Sequence, residues 1–146
     1  MNRLHMKLAI TAAAASLLFS NSVAAQSGPY SAKPLSPAPK AARVQITQGP
    51  ELESANDNSA IIRWKSSNPG GADEHFGIVH YGTNPKELSQ TAKSPIRLNQ
   101  NHSYTVFRVR VDGLKPQTTY YYTVDSMGGD GRLDGVKSTI KHFTTG

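Results

Sequence analysis

The chain has 146 residues, which is enough for one folded domain with an additional segment and excludes a large multidomain enzyme. It contains no cysteine, which excludes disulfides, thiolate metal sites and cysteine nucleophiles. Sixteen Lys and Arg residues against ten Asp and Glu residues give a formal charge of +6, which favours anionic partners.

Residues 1–25 have the organisation of a cleavable signal peptide. Arg3 and Lys7 precede an apolar run at residues 8–19, and small residues follow at positions 22–25. The run is about a dozen residues long, whereas a helix needs roughly 20 apolar residues to span a bilayer. A membrane anchor is therefore the less favoured interpretation. We expect a periplasmic or secreted mature chain that begins near Gln26 and has no transmembrane segment.

Residues 26–42 are predicted to form a linker. Four prolines, at positions 29, 34, 37 and 39, lie among Ser, Ala and Lys residues. Such a composition buries little apolar surface and favours extended polyproline II backbone. The segment is therefore predicted to be a semi-rigid spacer.

Residues 43–146 are predicted to form an antiparallel β-sandwich. β-Branched and aromatic residues alternate with period two in short runs separated by Gly, Pro and Asn, and no segment has a convincing helical period. Six or seven strands without intervening helices predict an all-β fold of two sheets. The expected strands are one with Val44 and Ile46 that ends before Gly49, one with Ala60, Ile62 and Trp64, one from about Phe76 to Tyr81, one with Phe107, Val109 and Val111, one with Tyr120, Tyr122 and Val124, and one from about Lys137 to Thr145; residues 88–98 lack a clear pattern.

Several motifs in a fixed order carry a family resemblance. They are Ile62-Arg63-Trp64, the segment YGTNP at residues 81–85, VDGLKPQTTYYY at residues 111–122 and FTT at residues 143–145. With these motifs, the region from about Ala42 to Gly146 resembles a fibronectin type III domain. More narrowly, it resembles the variant found at the N-terminus of purple acid phosphatases.

The resemblance implies structural roles for four residues. Trp64 would fill the core, and Leu114, Pro116 and Tyr120 would form a tyrosine corner. In such a corner the tyrosine hydroxyl bonds to the upstream backbone and ties the crossover between the sheets. In purple acid phosphatases the two-metal catalytic centre belongs to a separate C-terminal domain. The resemblance therefore carries over no metal ligand, no catalytic residue and no cofactor.

The remaining polar residues do not predict an enzyme. There is no strained nucleophile turn and no glycine-rich phosphate loop leading into a helix. His75, His80, His102 and His142 lack a helical ligand spacing and are interpreted as surface histidines. Acidic residues at positions 73, 74, 130 and 134 are expected to meet at one end of the sandwich. There they would be solvated, and a calcium site is the less favoured alternative.

One sheet is predicted to have a basic outer face. Along these strands, apolar residues alternate with basic ones. If the apolar residues face the core, five basic side chains point outward with no carboxylate between them. Opposed like charges cost up to about 1 kcal/mol per pair, a cost that an anion would relieve. The alternative is that the side chains spread apart and are screened by salt. The five are Arg43, Arg63, Lys65, Arg108 and Arg110.

The opposite sheet offers a second candidate surface. Alternation places Phe76, Ile78, His80 and Tyr121 outward, where aromatic side chains can stack on sugar rings or contact a protein. A β-bulge near Gly77 is an equal alternative, and it would bury Phe76 and Ile78.

Together these features predict an exported, non-enzymatic binding or adaptor module. The expected partner is a protein, or an anionic polysaccharide or other envelope component. Export and the lack of exposed stacking aromatics on the basic face disfavour nucleic acid. The alternative is an accessory or remnant N-terminal domain of a metallophosphatase similar to purple acid phosphatases. A purely structural spacer is a third interpretation.

Overall fold

A computed structural model describes residues 39–146 of the chain. The predicted signal at residues 1–25 and most of the predicted linker lie outside the described residues. The described part contains seven strands and no helix. The strands are β1 (Ile46–Ala55), β2 (Ser59–Ser67), β3 (Glu74–Gly82), β4 (Gln90–Arg97), β5 (Tyr104–Asp112), β6 (Thr119–Gly128) and β7 (Lys141–Thr144).

The strands form two antiparallel sheets, which confirms the predicted all-β fold. One sheet has the order β1-β2-β5, and the other has the order β4-β3-β6-β7. Strands β2 and β5 pair without interruption from Ser59 opposite Asp112 to Ser67 opposite Tyr104. Alternate residues of these strands therefore form one continuous inward face, as their period-two pattern predicts.

The core lies between the two sheets and is built from those inward residues. Trp64 of β2 stacks on Phe107 of β5 with ring centroids 5.1 Å apart, and both are almost fully buried. Gly77 of β3 faces this pair, and a Cβ there would lie 2.9 Å from Val109 Cγ2 and 3.0 Å from the Trp64 ring. A glycine at this position lets the large rings approach the backbone of the opposite sheet.

A tyrosine side chain fastens the connection between β5 and β6. The backbone N–H of Lys115 donates a hydrogen bond to Tyr120 Oη over 3.0 Å. The Tyr120 ring is buried and stacks on Phe143 of β7, with centroids 5.8 Å apart. Leu114 is buried beside it, whereas Pro116 is exposed in the turn. This bond between side chain and backbone holds the turn against the end of the second sheet.

The first strand differs from its prediction. The sequence places its end before Gly49, but β1 continues through Gly49 and Pro50 to Ala55. Gly49 has a φ of 79°, and the pairing with β2 shifts register between Gln48 and Glu51 before it resumes. The Gly-Pro pair therefore marks an irregularity within a strand rather than a turn between strands.

Two other boundaries also differ. The unpatterned stretch is strand β4, an edge strand whose inward residues Ala92 and Ile96 are only partly buried, so its apolar alternation is weak. The last strand was expected from about Lys137 but begins at Lys141. Residues 134–140 run beside β6 without forming a regular ladder.

Candidate functional site

Four of the five predicted basic residues lie on the three-stranded sheet. Arg63 and Lys65 are on β2, and Arg108 and Arg110 are on β5, with Arg63 directly opposite Arg108. Arg43 precedes β1 and is exposed. The structure therefore brings these cations onto one side of the sandwich, where like charges face each other across the β2–β5 ladder.

Carboxylates occupy the same face, so the expectation of a face without them is wrong. Arg63 Nη1 lies 3.1 Å from Glu51 Oε1, and Arg110 Nε lies 2.7 Å from Asp112 Oδ1. Arg108 holds both carboxylate oxygens of Glu53, one of them over 2.8 Å from Nε. The glutamates reach the face because β1 continues beyond Pro50 and pairs with β2 there.

These pairs leave little unbalanced charge on the face. The bidentate hydrogen bonds from Arg108 lower the pKa of Glu53 below its usual range, so both partners stay ionised at neutral pH. Lys65 Nζ lies 3.9 Å above the ring of Tyr104 and takes part in no ion pair within residues 39–146. Since three of the four strand cations are paired, the face does not need an anion to relieve repulsion.

The four-stranded sheet presents a different outer surface. The pairing of β3 with β4 and with β6 advances residue by residue past Gly77, so the alternative of a bulge there is wrong. The accessible outward positions of this sheet are half-buried Phe76, His80, Tyr121 and Met127, exposed His142 and two exposed aliphatic residues. We call this surface the outer sheet face, formed by Phe76, His80, Tyr121, Met127, Leu133, Ile140 and His142.

Apolar side chains are unusually accessible on the outer sheet face. Leu133 is 56% exposed and Ile140 is 49% exposed, the two highest values among the large hydrophobic residues of the described part. Tyr121 and His142 lie opposite each other on β6 and β7 with ring centroids 5.9 Å apart. This edge of the sheet therefore offers apolar contact area together with polar ring atoms.

Three outward residues of this sheet, Ile78, Thr123 and Asp125, are nevertheless buried. Ile78 is 2% exposed, because Phe76 and His80 flank it on β3 and Lys93 and Asp125 lie opposite it on the neighbouring strands. Burial raises the pKa of Asp125, against the hydrogen bond that its carboxylate accepts from the Ser126 N–H. Burial also lowers the pKa of His80, and the positive charge of Lys137 adds to this effect.

A buried ionic cluster lies at the end of the sandwich. His75 on β3 is 1% exposed, so its interpretation as a surface histidine is wrong. Its Nδ1 lies 3.0 Å from the Ala72 carbonyl oxygen, and its Nε2 lies 3.6 Å from Asp134 Oδ1. Lys40 Nζ lies 3.4 Å from the same oxygen, and Ser126 Oγ donates to Asp134 Oδ2 over 2.5 Å.

This cluster stabilises a charged carboxylate inside the protein. Burial raises the pKa of Asp134, but the contacts from His75, Ser126 and Lys40 outweigh burial and hold that pKa below its usual range. The sequence did indicate that His75 is buried. Along β3 it alternates in phase with Gly77, Val79 and Tyr81, which all face inward. The partner Asp134 is 59 positions away and has no such pattern.

The acidic loops do meet at this end of the sandwich. The N–H of Gly129 donates to the Glu74 carbonyl oxygen over 2.8 Å, which joins the start of β3 to the loop after β6. Asp134 turns into the domain, and its side chain is inaccessible to solvent. Within residues 39–146, no three His, Asp or Glu side chains lie close enough together to hold a metal ion.

A comparison with protein-family models matches residues 47–145 to "Purple acid Phosphatase, N-terminal domain". The chain belongs to this family. The matched range contains all of the sandwich from the second residue of β1 to the end of β7. The family assignment therefore covers the N-terminal, non-catalytic domain type and includes no catalytic phosphatase domain.

Three solved structures of one bacterial sensor domain are similar to part of this chain. Two forms of the sensor domain of the anti-sigma factor RsgI4 from Pseudobacteroides cellulosolvens match with 19% identity and a TM-score of 0.48. Each match covers 70% of this chain, with 88% of the longer form and 93% of the shorter form. The solution structure of that sensor domain has 16% identity and a TM-score of 0.47, and covers 70% and 74% of the two chains.

No curated protein sequence matches the chain. Across residues 39–146, no helix has the length and apolar character needed to cross a bilayer.

Proposed function

We propose that this purple acid phosphatase N-terminal domain is an exported, non-enzymatic binding or adaptor module that contacts a protein partner through its outer sheet face. The observation that carries the proposal is the accessible Ile140, two residues before His142 of the Tyr121–His142 pair, together with exposed Leu133, which lies opposite Met127 further along β6. Exposed apolar patches with amphipathic aromatic residues are typical of protein interfaces.

The ion pairs of the other sheet support a protein partner over an anionic polysaccharide. An anion that approaches Arg63 or Arg108 must compete with Glu51 or Glu53, which already lie within hydrogen-bond distance. The two glutamates also repel a polyanion. Binding at that face would therefore be weaker than five unpaired cations would allow.

Export is part of the proposal and rests on the amino-terminal sequence. Basic residues, a short apolar run and small residues follow one another at residues 1–25 in the order of a cleavable signal. The absence of cysteine fits a domain held together by its core and hydrogen bonds alone, in any compartment.

The family assignment supports a second candidate function, an accessory domain of a metallophosphatase. In that case the outer sheet face would contact a catalytic chain. Material captured by the domain would then contain stoichiometric iron or zinc and hydrolyse phosphate esters. A binding module with another partner would capture neither metal nor activity.

Affinity capture with matched variants tests the proposal. The full chain is immobilised and exposed to an envelope extract of the source organism at low and physiological salt. The variant Tyr121→Ala/Ile140→Ser is expected to lose the partner, whereas Arg63→Ala/Arg108→Ala/Arg110→Ala is expected to retain it at both salt concentrations. Loss of the partner only in the arginine variant would shift the function to the basic face. Capture of nothing by any variant would support a structural spacer.

A further inference from the structure

A groove opens at one edge of the sandwich, apart from the outer sheet face. It has a volume of about 760 Å³ and separates residues 42–50 from residues 134–139. Val44 and Pro50 are buried in its wall, and Ile46 packs against the core. Its accessible lining is mainly polar, and these apolar residues form a recessed apolar floor beneath it; we call it the edge groove.

Only some of the backbone N–H and C=O groups of residues 134–139 form hydrogen bonds within residues 39–146. Asp134 N–H donates to the Ser126 carbonyl, and Ser138 N–H donates to the Val124 carbonyl, so these positions face β6. In extended chain, alternate residues direct their N–H and C=O groups to opposite edges. Gly135, Lys137 and Thr139 form no backbone hydrogen bond within residues 39–146, and all three are exposed. Among the described residues, their polar groups therefore have no partner at this edge of the sheet.

The rim of the edge groove is positively charged. Arg43 lies on one side and Lys137 on the other, and neither forms an ion pair within residues 39–146. Asp134 is the only acidic residue in the lining, and its inaccessible carboxylate is already held by Lys40 and His75. The accessible charge of the groove is therefore positive.

We infer that the edge groove binds an extended acidic peptide of a partner protein by strand addition to residues 134–139. The free backbone groups supply hydrogen bonds to the peptide main chain. Side chains of an extended peptide alternate, so one set would face the apolar floor and the other set the two cations. The preferred ligand is a segment in which apolar and acidic residues alternate.

The dimensions of the site fix the length of the probe. Six extended residues span about 20 Å, which matches residues 134–139 paired in register. A small anion would satisfy the cations but leave the apolar floor and the free backbone groups uncovered. An apolar peptide without carboxylates would leave Arg43 and Lys137 without partners. Both features together select the alternating acidic sequence.

Titration of the isotope-labelled full chain with blocked hexapeptides tests the inference by amide chemical shifts. The probe alternates valine and aspartate, and the matched control alternates valine and lysine. We expect saturable shifts at residues 42–46 and 134–139 with the aspartate peptide only. A version with N-methylated backbone is expected to bind at least about tenfold more weakly, because it cannot complete the strand pairing.

Charge reversal separates the groove from general electrostatic attraction. Arg43→Glu/Lys137→Glu is expected to weaken the aspartate peptide at least about tenfold. The control Lys86→Glu/Arg132→Glu removes the same charge outside the groove and is expected to leave affinity unchanged. No saturation by about 5 mM, equal binding of the lysine peptide, or equal losses in both variants would overturn the inference. None of these results depends on the outer sheet face, so the two proposals fail separately.

Discussion

Removal of the buried charge at Asp134 should destabilise the domain. Asn has the same shape and keeps an oxygen that can accept from Ser126, so Asp134→Asn isolates the effect of charge. Breaking a buried ion pair costs about 3–5 kcal/mol, but Lys40 is 39% exposed and can regain solvent, which reduces the expected cost to about 2 kcal/mol. For a domain of this size, that loss lowers Tm by roughly 8–16 °C.

The pH dependence of this loss distinguishes charge from packing. The folded-state pKa of Asp134 is lowered, so its stabilisation is present above the unfolded value of about 3.9 and is lost as the pH falls through the folded value. Urea unfolding of wild type and Asp134→Asn, followed between pH 7 and pH 3, measures the difference. We expect the full difference at pH 7 and a shrinking one below about pH 4.

Asp125→Asn is the matched control with the opposite sign. Burial raises the folded-state pKa of Asp125, so its favourable contribution is present below the unfolded pKa and is lost as the pH rises through the folded pKa. At pH 7 this variant should be more stable than wild type, and the gain should disappear in acid. Equal stability of Asp134→Asn and wild type at pH 7, or a difference that does not change with pH, would refute this reasoning.

Three further experiments test the fold and the paired face. Gly77→Ala should lower the free energy of unfolding by about 1–3 kcal/mol, because the added methyl overlaps the core side chains of Val109, Trp64 and Phe107. Unchanged stability would show that the Trp64 and Phe107 rings move aside. Tyr120→Phe should cost about 1 kcal/mol in the same assay through the lost bond from Lys115, whereas an unchanged midpoint would deny that bond a structural role. A double-mutant cycle of Glu53→Gln and Arg108→Gln should give a weak coupling that falls as salt is added; a strong, salt-independent coupling would contradict an exposed pair.

Local alternation explains which strands could be predicted. Strands β2 and β5 have large apolar residues on one face and polar residues on the other, so their period-two pattern is clear. Edge strand β4 buries its inward side only partly, so its pattern is weak. The pair Gly49-Pro50 led to the prediction that the strand ends there, and only the pairing with β2 shows a strand irregularity instead.

The candidate site was harder to predict because its key contacts are distant in sequence. Arg108 and Glu53 are 55 positions apart, and their meeting depends on the shifted register of β1. The position of Tyr121 on the outer sheet face followed from alternation alone, since its neighbours Tyr120 and Tyr122 are buried. Leu133 and Ile140 were missed as surface residues, because Leu133 lies in a segment without strand periodicity and Ile140 lies just before β7, where the predicted strand does not form.

Site-specific photocrosslinking tests the proposed binding face most directly. A benzophenone side chain is placed at Ile140 on the outer sheet face or, as a control, at Leu52, a 39% exposed apolar residue of the other sheet. Each full-length variant is irradiated in the envelope extract of the source organism. We predict a discrete protein adduct from position 140 and none from position 52. An adduct from position 52 alone, the same adducts from both, or none from either would contradict binding through the outer sheet face.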